Sequence, residues 1–131
     1  MNKITIIGSG KVGATIAHSL VVSGLSSEIV LIDINQARAE GEALDIEQGI
    51  FFCNPGKIYG GTYDDAIGSD IVIITSGVGR KPGQSRLELA QVNIDILKSV
   101  IPEITRRVPD AIYVLVSNPV DVLTYAFCKC S

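Results

Sequence analysis

Three segments carry residue types at spacings that could do chemistry. The first is Gly8-Ser9-Gly10-Lys11-Val12-Gly13, which follows the apolar run Ile4–Ile7 and opens a stretch of helical periodicity. A G-x-G-x-x-G placed between a strand and a helix suits a dinucleotide: Gly8 allows a tight turn, Gly10 lets the backbone approach a pyrophosphate, and Gly13 lets helix and strand pack closely. The anion then rests on the helix N-terminus. About 20 residues on, a second apolar run ends in Asp33, where a carboxylate can accept hydrogen bonds from an adenosine ribose. An acid there repels a 2′-phosphate, so the expected cofactor is NAD and not NADP. The bland reading is a glycine-rich turn with a capping Asp, but strand, turn, helix and acid together favour the nucleotide. Arg38 falls on the adenosine side, where a cofactor contact and a solvated helix charge both stay open.

The other two segments follow strand-like runs, and in open α/β sheets such carboxyl ends face one crevice. Thr75–Arg86 is a glycine-rich basic loop before a long helix. A guanidinium on a closing loop can polarise a carbonyl or clamp a carboxylate, and Arg80 and Arg86 are the two available. Plain solvation of a surface loop is the competing reading. Ser117-Asn118-Pro119-Val120-Asp121 offers an amide to the crevice through Asn118. Pro119 suits the start of a helix, and Asn118 as a simple cap remains the alternative.

The elements that must position these residues are legible from apolar periodicity. Nearly continuous β-branched runs at Ile4–Ile7, Glu28–Ile32, Ile71–Thr75 and Ile112–Val116 read as strands buried on both faces, and Lys57–Tyr63 as a further short strand after the Asn54-Pro55-Gly56 turn. Helices are expected at Val12–Ser23, ended by Gly24, at Ala37–Ile46 and at Leu87–Arg107. The last places Leu89, Val92, Ile96, Leu97, Val100 and Ile104 on one side, with a kink at Pro102. A final helix starts near Val120. Alternating strands and helices predict an α/β fold, a doubly wound parallel sheet with helices on both faces, over one domain spanning residues 1–131.

Composition narrows the function classes. The 131 residues are 47 % hydrophobic and 19 % charged, with a formal net charge of −3. That suits a globular core and argues against nucleic acid as a partner. Ile4–Ile7 is broken by Gly8 too soon for a signal peptide or a membrane span, which makes the cytoplasm the expected compartment. Cys53, Cys128 and Cys130 read as free thiols, and no metal site is expected. The helix that ends at Ser131 has neither cap nor following turn, so a truncated chain is expected.

Together these segments resemble the lactate/malate dehydrogenase family along essentially the whole chain: the fingerprint at Gly8–Gly13, Asp33, Gly41-Glu42-Ala43-Leu44-Asp45, the loop Gly79–Leu87, and the run Val116–Tyr125. The resemblance implies a Rossmann domain that holds NAD through Gly8, Gly10, Val12, Gly13, Asp33, Arg38, Tyr63, Gly77, Val78, Asn93, Ser99, Val116 and Asn118. It implies that Arg86 polarises the carbonyl of a 2-keto acid during hydride transfer, that Asn118 and Asp121 lie on the substrate side, and that Arg80 takes the specificity position. Arginine there is the malate pattern, because it can pair a second carboxylate. Glu40-Gly41-Glu42-Ala43 and Arg86-Leu87-Glu88-Leu89 look more like lactate enzymes, and pyruvate/L-lactate is the favoured substrate pair. The family's proton-donating histidine, its aspartate and its carboxylate-binding arginine lie later in the chain; the single histidine here, His18, reads as structural or solvated. This chain alone is therefore expected to be inactive, and the whole enzyme to be a homo-oligomer. Two other classes share the glycine fingerprint, a nucleotide-sensing regulatory domain and NAD-dependent glycosidases, but neither needs the Gly79–Arg86 loop or the Asn118–Asp121 turn.

Overall fold

A computed structural model describes residues 2–49 and 56–131; Cys53, Asn54 and Pro55 lie outside the described residues. Five parallel strands form one sheet: β1 (Lys3–Ile7), β2 (Glu28–Ile32), β3 (Lys57–Gly60), β4 (Ile71–Ile74) and β5 (Ile112–Leu115), in the order β3-β2-β1-β4-β5. The pairings are in register from Ile7 beside Ile32 on one flank to Ile7 beside Ile74 on the other. β1 is thus central, and the chain order reverses direction between β1 and β4, which opens a crevice at the strands' carboxyl ends.

Period-two alternation sends the strand side chains to two cores. Ile4, Ile6, Ile29, Leu31 and Ile58 pack under helices α1 (Lys11–Ser23) and α2 (Gln36–Glu47), through Ala17, Val21, Ala39, Ala43 and Ile46. Ile7, Val30, Ile32, Val72 and Ile74 pack on the opposite face under α3 (Arg86–Thr105) and α4 (Val120–Cys130), through Leu97, Val100, Ile101, Ile104, Leu123 and Phe127. β1 and β2 bury both faces for this reason. At the two-helix interface small alanines set the spacing, which lets α1 and α2 lie close to the sheet.

Several expectations are corrected. β5 is not buried on both faces: among the described residues Ile112 and Val114 stay exposed while Tyr113 and Leu115 are half-buried, because β5 is an edge strand with helices on one side only. β3 stops at Gly60, and Tyr63 instead opens a 3₁₀ turn over Tyr63–Ala66, where Thr62 and Asp65 form a capping box. The buried face of α3 is Ala90, Asn93, Leu97, Val100, Ile101 and Ile104, with Val92 exposed; reading by hydrophobicity alone excluded the polar Asn93 that defines it. α3 runs on through Pro102 and is capped by Ser85 with Glu88. Pro119 stands at the start of α4 as expected, at its N-cap, but α4 has no side-chain cap from Asn118. α1 ends at Gly24 as expected.

Candidate functional site

The glycine turn is built by backbone crowding. Gly8 sits at φ 105°, a left-handed conformation costly for any side chain, and a Cβ there would meet Thr75 Oγ1 at 2.6 Å and the Ser76 nitrogen at 2.8 Å. A Cβ on Gly13 would collide with the carbonyl oxygen of Gly8, so helix α1 lies directly against the turn. Gly10 differs: its nearest neighbour is a guanidinium nitrogen of Arg38 at 3.9 Å. Packing does not demand glycine there. The room a side chain would fill is open, at the N-cap of a helix whose first turn carries Lys11 and no acid, where unpaired N–H groups and the helix dipole favour an anion.

Asp33, at the end of β2, is fixed by three donors. Ser9 donates its backbone N–H and its hydroxyl to Asp33 Oδ2 at 2.7 and 2.8 Å, and Asn35 donates its N–H to Oδ1 at 2.9 Å. Burial opposes the charge, but these hydrogen bonds and nearby Arg38 outweigh it and hold the carboxyl below its usual range. Oδ2 has both lone-pair directions engaged; Oδ1 keeps one for another donor.

A cavity of about 570 Å³ opens beside these groups. Its lining includes Gly8, Gly10, Asp33, Arg38, Tyr63, Gly77, Val78 and Ser99 of the expected cofactor residues. Thr75 and Ser76, the start of the candidate loop Thr75–Arg86, line it too, as do Ile34, Ile96 and Val100, which sequence reasoning did not select for the site. Ile34 is fully exposed, and an apolar residue following a strand-end acid without a core partner was the available signal. The Tyr63 hydroxyl is pushed above its usual range by burial first and Glu103 second. The turn that carries it is pinned by Arg107, whose Nε donates to Asp64 at 2.6 Å while its Nη1 donates to Glu103 at 2.8 Å.

Val12, Gly13, Asn93, Val116 and Asn118 are not on that lining. Gly13 lies behind the turn, and Val12 is exposed on α1. Asn93 is 2 % exposed and spends its amide on backbone: Oδ1 accepts from the Val78 N–H at 2.8 Å, and Nδ2 donates to the Val78 carbonyl at 3.2 Å and to the Asn118 carbonyl at 2.6 Å. This side chain therefore joins the two segments that the sequence offered as separate candidates. Arg80 is exposed, with its Nε donating to the Gln84 carbonyl at 2.9 Å. Arg86 is the first residue of α3 and Asp121 lies in the first turn of α4, both exposed. His18 is exposed on α1 and away from the cavity lining. No helix among the described residues is long and apolar enough to cross a membrane.

The chain matches the model of the lactate/malate dehydrogenase NAD binding domain over residues 2–131. It is 52 % identical over 131 residues to an L-lactate dehydrogenase of Thermoanaerobacter sp. (strain X514), covering 100 % of this chain and 42 % of that protein. Among solved structures, the minor L-lactate dehydrogenase from Enterococcus mundtii in its ligand-bound form superposes with a TM-score of 0.94 at 41 % identity, covering 99 % of this chain and 42 % of that one. The malate dehydrogenase from Archaeoglobus fulgidus in complex with NADH superposes with a TM-score of 0.91 at 36 % identity, covering 98 % and 45 %. The chain thus spans less than half the length of these relatives.

Proposed function

The chain belongs to the lactate/malate dehydrogenase family, as its NAD-binding domain, and from that premise we propose that residues 1–131 act as the cofactor domain of a cytoplasmic, homo-oligomeric L-lactate dehydrogenase. The observation that carries the reading is the cavity beside the Gly8–Gly13 turn, with Asp33 held ionised at one side and an open Gly10 at the helix N-terminus. The exposed, free Cys128 and Cys130 suit a reducing compartment.

Bound NAD would supply the hydride acceptor, and NADH the donor. The backbone of the glycine turn and the first turn of α1 would take the diphosphate. Asp33 Oδ1 would accept from the adenosine ribose, while Arg38, Ile34 and Tyr63 enclose that nucleoside. Ile96 and Val100 give the cavity an apolar wall that excludes water, and Gly77, Val78 and Ser99 complete the lining. Val12, Val116 and Asn118 support the site from the helix and strand ends, and Asn93 positions Val78 and Asn118 instead of meeting cofactor itself. Arg86 would polarise the carbonyl of pyruvate and stabilise charge that develops on its oxygen. Arg80, Asn118 and Asp121 would face the rest of the substrate.

A second reading is malate dehydrogenase, favoured by one residue. An arginine at position 80 can pair the second carboxylate of oxaloacetate, whereas pyruvate leaves it without that partner in a water-poor site. The test has two stages. NADH is titrated into the 131-residue chain by fluorescence, and the complete reading frame is assayed for NADH oxidation with pyruvate and with oxaloacetate. Binding plus a preference for pyruvate supports the lactate assignment. A preference for oxaloacetate moves the protein to the malate branch, and binding without turnover of either acid removes the dehydrogenase assignment.

A further inference from the structure

Ser76 carries a buried hydroxyl. It is the second residue past the end of β4 and lines the cavity. Its Oγ exposes less than 1 Å² and has no hydrogen-bond partner among the described residues. Its neighbours differ in this respect. Thr75 Oγ1 donates to the Gly8 carbonyl at 3.0 Å, and the Ser117 hydroxyl donates to the Ser76 carbonyl at 2.6 Å. The backbone of Ser76 is therefore held, while its side chain keeps an unused donor and acceptor. A buried polar atom without a partner is costly and rare in a native protein, and a functional site is one of its ordinary explanations.

The sheet order gives that atom a place along the ligand. β1 carries the glycine turn, β2 with Asp33 lies on one side of it, and β4 with Ser76 lies on the other. The Ser76 nitrogen is close enough to Gly8 that a Cβ there would meet it at 2.8 Å. If the diphosphate rests at the turn and the adenosine ribose at Asp33, the other nucleoside leaves toward β4. We propose that the Ser76 hydroxyl is a further binding residue, hydrogen-bonding the ribose on the nicotinamide side of the dinucleotide. This rests on the NAD-binding reading above.

The test compares the unmodified chain with Ser76→Ala and Ser76→Cys, titrating NADH by fluorescence and ADP by calorimetry, and following ligand-free thermal unfolding. The proposal expects NADH to bind about fivefold to tenfold more weakly to both variants, as for loss of one hydrogen bond. ADP, which keeps both phosphates and lacks only the nicotinamide riboside, should bind both within about twofold of the unmodified chain. The ligand-free unfolding midpoint of Ser76→Ala should stay level or rise, because no protein contact is removed. Unchanged NADH affinity would overturn the proposal, as would an equal loss for ADP and NADH. An unmodified chain that binds no NADH at all would instead strike the cofactor reading on which the proposal stands.

Discussion

Ser9 donates both its backbone N–H and its hydroxyl to the same oxygen of Asp33, at 2.7 and 2.8 Å. The second residue of the glycine turn thereby aims the acid that ends the neighbouring strand, and it does so from a fully buried position. The fingerprint is usually read as glycines with free choice between them; here the first intervening position holds the carboxylate that is proposed to bind the ribose.

Removing that hydroxyl should loosen the acid without deleting it. Ser9→Ala is expected to lower stability by about 1 kcal/mol and weaken NADH binding several-fold, whereas Asp33→Asn should also narrow the preference for NADH over NADPH. The pH dependence follows from the direction of the shift. The folded carboxyl titrates below its usual range, so its ionised form stabilises the fold at every pH above the unfolded value, and that contribution is lost as pH falls through the folded one. Urea unfolding of the unmodified chain and Asp33→Asn should therefore differ by a constant amount from neutral pH to roughly pH 5 and converge below about pH 4. A difference that grows on acidification would contradict this.

The glycines of the turn separate into two kinds. Gly13→Ala drives a Cβ into the Gly8 carbonyl and should cost about 2 kcal/mol or more, visible as a lower ligand-free melting temperature. Gly10→Ala meets nothing closer than 3.9 Å and should cost under about 1 kcal/mol as an N-cap change, yet abolish measurable NADH binding. Equal melting temperatures for the two variants would show that the turn relaxes, and retained NADH binding by Gly10→Ala would show that ligand does not approach there.

Much of this organisation was legible in the sequence because the strands are continuous apolar runs and the glycine turn has a fixed context. The two-sided burial of β1 and β2, the end of α1 at Gly24 and the membership of Gly8, Gly10 and Asp33 in one site all follow from local pattern. What was not legible depends on tertiary neighbours. β5 has a β-branched sequence like the others, and only its edge position leaves Ile112 and Val114 exposed. Asn93 is polar, so periodicity excluded it from the buried face of α3 that it occupies, and its three backbone partners lie 15 and 25 residues away. Ser76 resembles any strand-end serine until its hydroxyl is seen to lack a partner.

Asn93 should behave as a structural staple. Asn93→Ala strands the Val78 N–H and two carbonyls, and is expected to destabilise the chain by about 2–4 kcal/mol in urea unfolding. Because it holds Val78 at the cavity rim, NADH affinity should fall as well, even under conditions where the variant is fully folded. A variant with lowered stability but unchanged affinity would confine Asn93 to packing.

Arg80 and Arg86 should separate in a full-length protein, since one is proposed to read the substrate and the other to activate it. Arg80→Gln removes the cation that would pair a second carboxylate, so kcat/KM for oxaloacetate should fall at least about tenfold relative to pyruvate. Its tie to the Gln84 carbonyl at 2.9 Å is also lost, and an equal fall for both acids would mean that it merely shapes the loop. Arg86→Gln should reduce kcat for both acids by about 100-fold or more, as for loss of a group that stabilises developing charge, with NADH affinity unchanged because the residue is exposed at the start of α3 and off the cavity lining. A matching drop in NADH affinity would place Arg86 on the cofactor, and the carbonyl-polarising role would then need another cation from the chain.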